Sequence, residues 1–411
     1  MPAPLSPPII RSDDLRAENR HRILQTIRRQ GASTRGEIGA TTSLSQAAVS
    51  TLSAQMVDEG ILQDEKNTAA VRRGRPQTSL TLVDNATLAI TVTLTIDRLH
   101  FRAIDYAGTT LDQHQQLLET RAQSSKGLLK LICDGIAAIK PSTTTLSIIG
   151  VGFQGVTEHA TGNLLWSPIL SMQRVPLRRT LEKTFKVPVN VNNDCRLIAG
   201  ALHNRHASVL GDNFTTVLFS HGVGMGLYLD GKPFSGIQSS ALEIGHLQHK
   251  HNGCLCRCGK LGCIEAYAAD YAIARQVHGD RPDSFDSGRV SQAQIHSFVQ
   301  AANTGNQLAL QAFKLAGNAV GAGLKSVFTL FDSMPVALVG RSKEALDLMT
   351  DGLHEHLSAA TGSEYDIETL VHCFSDDEPL LQHGLNLDAL SSIDRMVASD
   401  SLPAVKSEIS A

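Results

Sequence analysis

The sequence lacks three features that would assign it to particular classes of protein. No apolar run approaches the roughly 20 residues needed to cross a bilayer, which argues against an integral membrane protein. No secretory signal is recognisable, so a secreted protein built on disulfides is not expected. The net charge of −3 at pH 7 shows no large excess of one sign. We therefore expect a cytoplasmic protein whose cysteines are reduced.

The charge is distributed unevenly along the 411 residues, which are enough for two or three domains. Up to Gln77 there are 11 Lys+Arg residues against 8 Asp+Glu, whereas the remainder contains 26 against 32. A mildly basic amino-terminal part on an acidic body is typical of a nucleic-acid-binding unit attached to a body that binds a small molecule.

The stretch 246–265, HLQHKHNGCLCRCGKLGCIE, concentrates metal ligands. Cys254, Cys256, Cys258 and Cys263 fall within ten residues, and three histidines precede them. Thiolates and imidazoles in tetrahedral sets of four are the ligands that Zn²⁺ prefers. A disulfide pair is the alternative, but a reducing cytoplasm disfavours it. We predict a structural zinc whose fourth ligand, by chemistry alone, is either Cys254 or a histidine.

The amino-terminal part has the pattern of a helix-turn-helix with a wing. Helices are predicted at about 14–29, after a cap at Ser33 or Thr34, and from the cap Ser45 to about Glu59. Two short strands then enclose an arginine-rich tip. This order of elements favours DNA binding, and the alternative is a small helical bundle that dimerises.

The predicted DNA contacts are short polar side chains around the third helix and arginines near the second helix and in the wing: Arg35, Ser43, Ser45, Gln46, Ser50, Thr51, Arg72, Arg73 and Arg75. Short polar side chains reach base edges and phosphates. Arginines enter a narrow minor groove and contact phosphates. For the tip alone, the alternative is a solvated linker.

Strands alternate with helices from about Leu82 onward. A strand pair followed by alternating helices and strands occurs twice, which predicts two similar lobes with a cleft between them. The predicted organisation is a disordered lead-in at 1–12, a winged helix-turn-helix at 13–81, a first lobe at 82–198 completed by a C-terminal helix at about 380–398, and a second lobe at 199–375 with the zinc loop at 246–265.

Asn193 and Asp194 end a predicted strand at the mouth of this cleft. A carboxamide and a carboxylate suit the vicinal hydroxyls of a sugar, because together they offer donors and acceptors. The alternative role for this pair is a turn and a helix cap.

Two segments of the body resemble the signature of the ROK family, which contains sugar kinases and sugar-responsive transcriptional repressors. The first is E-x-G-H at 243–246, and the second is C-x-C-G-x-x-G-C-x-E at 256–265. The helix-turn-helix and the Gly-Arg-Pro of the wing are similar to the amino-terminal domain of the repressors, which the kinases generally lack. The resemblance, from about Leu82 to at least His372, implies an actin-like, ribonuclease-H-like fold.

The resemblance also implies which residues bind ligands. The zinc ligands would be His246, Cys256, Cys258 and Cys263, and Cys254 would lie off the pattern. The sugar ligands would be Gly155, Asn193, Asp194, Glu243, His246 and Glu265, with Asp194 standing where the kinases have their base. His246 would contact the sugar through one ring nitrogen and zinc through the other.

Three turns that hold ATP in ROK kinases are altered in this sequence. Their D-x-G-G-T-K turn corresponds to 90–97, which contains no glycine. Their G-T-G-x-G-G-G turn corresponds to 220–226, SHGVGMG, and their late G-G-G is reduced to Gly340. Because close approach of the backbone to phosphates requires glycine, we expect no kinase activity.

These features together predict a bacterial-type repressor of carbohydrate uptake or metabolism genes, controlled by a sugar or sugar phosphate. The expected partners are operator DNA, the effector and a second copy of the chain, because two half-sites require a dimer. The alternatives are an ATP-dependent sugar kinase with a DNA-binding head, and a repressor controlled by a protein such as a sugar-transport component.

Overall fold

The structure is a computed structural model that describes residues 12–66, 78–141, 144–239, 242–281, 290–358, 370–375 and 377–402. The lead-in predicted at 1–12 lies outside these ranges except for Ser12, which begins the first helix. The wing tip with Arg72, Arg73 and Arg75 also lies outside them. Among the described helices, none is long and apolar enough to cross a membrane.

The amino-terminal unit contains three helices and a three-stranded antiparallel sheet of order β1-β3-β2. Its elements are α1 (Ser12–Gln30), β1 (Ser33–Thr34), α2 (Arg35–Thr42), α3 (Gln46–Asp58), β2 (Leu62–Lys66) and β3 (Thr78–Leu82). Thr34 and Glu37 form a capping box at the start of α2, and Ser45 Oγ accepts from the Ala48 amide at 3.2 Å at the start of α3. The predicted caps therefore begin both helices.

The first lobe is built on a five-stranded sheet of order β10-β7-β4-β5-β6. Its elements are β4 (Leu88–Leu94), β5 (Arg98–Asp105), β6 (Thr110–Leu117), α4 (Ser125–Ile139), β7 (Leu146–Phe153), β8 (Val156–Thr157), β9 (Leu164–Trp166), α5 (Leu177–Phe185) and β10 (Val189–Asn193). Strands β4, β5 and β6 are antiparallel, and β7 and β10 continue parallel to β4.

The second lobe repeats this pattern in a sheet of order β13-β12-β11-β14-β15, with three antiparallel strands followed by two parallel ones. Its elements are α6 (Asp194–Leu210), β11 (Phe214–Phe219), β12 (Val223–Leu229), β13 (Lys232–Pro233), α7 (Glu265–Ala268), α8 (Asp270–Val277), α9 (Gln292–Asn303), α10 (Gln307–Phe331), β14 (Val336–Val339), α11 (Lys343–Ser358) and β15 (Val371–Phe374). The structure therefore contains the two similar lobes that the sequence predicts.

The last helix, α12 (Asp377–Ala398), leaves the second lobe and returns to the first. It packs against β4 and β7, against α6, and against α1 of the amino-terminal unit. Leu385 closes on Gly150 and Gly152 of β7, where the absence of side chains admits the helix. The C-terminal helix predicted at about 380–398 thus begins three residues earlier and touches all three parts of the chain.

Candidate functional site

All the residues predicted to bind sugar line one cleft between the lobes: Gly155, Asn193, Asp194, Glu243, His246 and Glu265. The end of β10, the start of α6 and the loop before β8 supply half of this set. The segment between β13 and α7 supplies the other half. The space between these walls, open solvent included, is about 370 Å³.

Asn193 acts as the cap of α6. Its Oδ1 accepts from the amides of Cys195 at 2.8 Å and Arg196 at 3.3 Å. Its Nδ2 donates to the Gly155 carbonyl at 2.8 Å, which ties the first lobe's cleft loop to the helix. The side chain of Asn193 therefore acts as a helix cap. By bonding to Gly155 it also holds the cleft loop in place.

Asp194 is 4% exposed, and its Oδ1 accepts from the Cys195 amide at 2.8 Å. Burial raises its pKa to about 7, although the Cys195 amide acts in the opposite direction. Near neutral pH the carboxyl is therefore close to its midpoint. It can accept a hydrogen bond from a hydroxyl as a carboxylate, or donate one as an acid.

Glu243 and Glu265 face the same space as Asp194. Burial raises the pKa of Glu265, while His246 lowers it. Enclosure in the cleft, and then the charges of Glu265 and Asp194, raise the pKa of Glu243, even though 40% of its side chain is exposed. The charges of Glu265 and Asp194 thus disfavour ionisation of Glu243, and hydroxyl donors from a polyol would stabilise the charged forms of all three carboxyls.

His246 connects the cleft to the cysteines of the zinc loop. Its Nε2 lies 3.5 Å from Glu243 Oε2, and its Nδ1 lies 3.8 Å from Cys256 Sγ. One ring nitrogen therefore faces the cleft and the other faces the thiols, which is the arrangement that the resemblance implies.

Four side chains form a cluster that could hold one metal ion: His246, Cys256, Cys258 and Cys263. Their ligand atoms all lie within 4.8 Å of one another. Burial, followed by the charge of Glu265, raises the pKa of the Cys256 thiol, and burial also raises the pKa of Cys263. A metal cation would offset this cost, because it stabilises thiolates.

Cys254 lies outside this cluster. Its amide donates to the Tyr267 hydroxyl at 3.0 Å, and its side chain is only partly buried. The geometry therefore favours a histidine as the fourth ligand over a set of four thiolates. The loop closes at Gly262, where φ is +81° and an added Cβ would lie 1.7 Å from the Lys250 carbonyl oxygen.

Trp166, which sequence reasoning did not single out, also lines the cleft, and so does Gln154. The Trp166 ring lies edge-on to the His246 ring, with centroids 5.7 Å apart. An indole offers a broad apolar face and one donor, which suits the carbon-bound face of a sugar ring. The available signal was that this is the single tryptophan of the sequence.

A larger space of about 1080 Å³, open solvent included, adjoins the cleft, and Gln154 and Asp194 line both. We call it the acidic chamber, because four of its seven ionisable lining residues carry carboxyls. The seven are Asp97, Arg98, Asp194, His221, Arg341, Asp377 and Glu378. It is bordered by the altered turns at 90–97 and 220–226 and by Arg341, which follows Gly340. The acidic chamber thus occupies the position at which the resemblance would place ATP.

The predicted DNA contacts on α3 and its preceding turn form an exposed surface: Ser43, Ser45, Gln46, Ser50 and Thr51. Arg35 is half-buried, and it donates through Nε to Ser53 Oγ at 3.0 Å and through Nη1 to Asp64 Oδ1 at 3.0 Å. It therefore links α2 to α3 and β2. A guanidinium carries more N–H donors than these two bonds use, so a phosphate contact remains open to it.

Comparisons with known proteins show the family of this chain. The ROK family model matches residues 90–377. The chain is 26% identical over 354 residues to the xylose repressor of Caldicellulosiruptor bescii, covering 83% of this chain and 87% of that protein. It is 26% identical over 326 residues to the DNA-binding transcriptional dual regulator NagC of Escherichia coli K12, covering 79% of this chain and 80% of that one.

A solved structure has the same overall fold. It is the crystal structure of a ROK family transcriptional regulator, a homolog of the E. coli MLC protein. The two share 21% identity and superpose with a TM-score of 0.75, which covers 94% of this chain and 99% of the other. Because the covered share exceeds the two lobes, the likeness extends into the amino-terminal unit.

Proposed function

Since this chain belongs to the ROK family, we propose that it is a sequence-specific DNA-binding transcriptional regulator, a repressor of carbohydrate uptake or metabolism genes that a sugar in the cleft controls. The family predicted from the two sequence motifs is thereby confirmed. The observation that carries the proposal is the presence, in one chain, of an exposed helical unit and a carboxyl-lined cleft. The relatives named as xylose repressor and as NagC support this reading.

The amino-terminal unit is proposed to be the winged helix-turn-helix. Its order of helices and strands is that of a winged helix, and α3 would enter the major groove as the recognition helix. Five exposed polar residues on α3 and its turn would meet base edges and phosphates. The strands β2 and β3 lead to the predicted wing tip with Arg72, Arg73 and Arg75. A dimer would place two recognition helices about one DNA turn apart.

The cleft is proposed to bind the effector. Asp194, Glu243 and Glu265 would accept hydrogen bonds from sugar hydroxyls, while Asn193 and Gly155 shape the wall. The first lobe supplies Asn193 and Gly155 to the cleft and the second lobe supplies the wall with Glu243 and Glu265, so a sugar that contacts both walls can favour one lobe arrangement over another. Control of DNA binding then requires that the sugar bind the two arrangements with different affinity.

Zinc is proposed as the ion of the His246 cluster. In a tetrahedral site with Zn–S bonds of about 2.3 Å, two sulfurs lie about 3.8 Å apart. Cys258 Sγ and Cys263 Sγ lie 3.7 Å apart, and Cys256 Sγ lies 3.8 Å from His246 Nδ1. When bound, zinc would neutralise the thiolates and hold the imidazole, so that Nε2 keeps its direction toward the cleft.

No kinase activity is proposed, because the acidic chamber suits ATP poorly. Carboxylates line it beside the turns that lack the kinase glycines, and they would repel a triphosphate. The alternative of a sugar kinase predicts sugar-dependent ATP hydrolysis. A coupled ATPase assay over a panel of sugars tests it, and turnover well above background would overturn this part of the proposal.

Cytoplasmic location also belongs to the proposal.

The main test is operator release. DNA duplexes that bind the zinc-loaded protein are first selected from a random library, and their affinity is measured by fluorescence anisotropy. Sugars are then added one at a time, and one class is expected to change the apparent affinity at least tenfold. The variant Asp194→Ala should bind the same DNA and lose the response. Selection of no sequence motif, or a response that survives in Asp194→Ala, would contradict the proposal.

A further inference from the structure

We propose that the effector is an uncharged, unphosphorylated sugar, and that the carboxylates of the acidic chamber exclude sugar phosphates. This inference rests on the proposed sugar-controlled function and narrows the class of its ligand. Asp377 and Glu378, at the start of α12, become specificity-determining residues for the effector.

The cleft itself offers no partner for a phosphate. Among the described residues that line it, no lysine or arginine occurs, and the titratable side chains besides Cys195 are three carboxyls and His246. Ionised carboxyls accept hydrogen bonds and donate none, so they match the hydroxyls of a neutral sugar. A phosphate dianion is also an acceptor, so it offers these carboxylates no proton and its charge repels each of them that is ionised.

A phosphate that extended from the sugar past Asp194 and Gln154 would enter the acidic chamber. Four carboxyls line that space, from Asp97, Asp194, Asp377 and Glu378. Asp194 also lines the cleft, and the other three are additional. Repulsion at such short range is screened little by salt, because the groups are partly buried.

The two guanidiniums of the acidic chamber are already engaged. Arg98 Nε donates to Asp97 Oδ1 at 3.2 Å, and its Nη1 lies 4.0 Å from Glu378 Oε2. Arg341 Nη2 donates to His221 Nε2 at 2.8 Å, and its Nη1 lies 3.7 Å from Asp270 Oδ2. Each cation therefore has a carboxylate within ion-pair reach, and this negative charge offsets the attraction of the guanidinium for a phosphate.

The amino terminus of α12 already has a carboxyl of the chain against it. Helix amino termini commonly bind phosphates through their free amides. Here Asp377 Oδ1 accepts from the Glu378 amide at 3.0 Å, so one of these amides is already satisfied. Carboxyl groups therefore line the part of the acidic chamber that a phosphate on the effector would enter.

The experiment compares each free sugar with its own phosphate. Binding of D-glucose, D-xylose and N-acetyl-D-glucosamine, and of the 6-phosphates of the two hexoses, is measured by isothermal calorimetry on the zinc-loaded full chain. Operator release by the same compounds is measured by anisotropy. We expect a free sugar to bind, and its phosphate to bind at least tenfold more weakly.

Variants then test whether the carboxylates of the acidic chamber cause the exclusion of sugar phosphates. The double change Asp377→Asn and Glu378→Gln should lower the Kd of the sugar phosphate relative to that of the free sugar at least threefold. The Kd of the free sugar itself should stay within twofold of the wild-type value. That retained affinity also shows that the variant folds. The matched control Asp347→Asn removes an exposed carboxylate from the ion pair with Lys343 and should leave both affinities unchanged.

The outcomes separate this inference from the proposed function. Tighter binding and operator release by a phosphorylated sugar would overturn the inference and leave the sugar-controlled repressor standing. If the ratio of the Kd of the sugar phosphate to that of the free sugar is unchanged in the double variant, the role of Asp377 and Glu378 is overturned. Failure of both sugars and phosphates to bind, while operator DNA still binds, would overturn sugar control itself.

Discussion

Arg28 of α1 and Asp394 of α12 form a buried, two-pronged ion pair. Nε donates to Oδ2 at 2.8 Å and Nη2 donates to Oδ1 at 2.7 Å. The Tyr106 hydroxyl donates to the same Oδ1 at 2.8 Å, and Arg28 Nη1 donates to the Tyr106 carbonyl at 2.8 Å. Because α12 begins at the acidic chamber, this pair attaches the amino-terminal unit to a helix that starts beside the cleft.

The change Asp394→Ala should lower the free energy of unfolding by about 3–5 kcal/mol, because it leaves the buried Arg28 guanidinium and the Tyr106 hydroxyl without their acceptor. Urea denaturation monitored by circular dichroism measures the loss. The control Asp134→Ala breaks an exposed pair with Lys130 and should leave the midpoint nearly unchanged. Equal midpoints for the two variants would show that the buried pair contributes little.

The change Asp194→Asn should stabilise the unliganded protein more at pH 8 than at pH 5. Burial raises the pKa of Asp194 to about 7, above the unfolded value near 4. The unfolded chain therefore loses this proton first, and the contribution of the group to stability falls as the pH rises from about 4 to about 7. Asparagine removes that penalty. Thermal melts at both pH values measure the difference, and an equal gain at both would contradict it.

The change Cys258→Ser should abolish stoichiometric metal binding, whereas Cys254→Ser should keep it. Cys258 Sγ lies in the four-ligand cluster and Cys254 does not. Metal content by mass spectrometry and the melting temperature before and after chelation measure both effects. We expect Cys258→Ser to melt like the chelated wild type and to lose the response to sugar, since His246 is no longer held. A metal-free variant that still responds would refute this link.

The change Gly155→Ala should weaken sugar binding at least tenfold. The φ of Gly155 is +146°, and an added Cβ would lie 2.4 Å from the Trp166 carbonyl oxygen, so the cleft loop must move. Gly200→Ala, in the middle of α6, is the matched control, because nothing lies within 4 Å of its added Cβ. The control should retain sugar affinity and gain up to about 1 kcal/mol of stability. Normal affinity in Gly155→Ala would show that the loop is not part of the site.

Much of the candidate site was predictable because its residues carry local patterns. The E-x-G-H and the cysteine run are close in sequence, and their spacing alone restricts which chemistry they suit. The caps Thr34 and Ser45 were predictable for the same reason, because a cap depends on residues two or three positions away. The role of Asn193 shows the limit of this reasoning, since its bond to the Gly155 carbonyl spans 38 residues.

The sequence by itself determined the family, the two lobes and the caps of α2 and α3, because periodicity, caps and motif spacing act over short distances. Only the tertiary structure decided that α12 returns to meet α1, since Arg28 and Asp394 are 366 residues apart. It also decided that Trp166 lines the cleft and that Asp377 and Glu378 stand beside it. Such contacts depend on how distant segments pack, and no local pattern encodes which charged side chains will share one enclosed space.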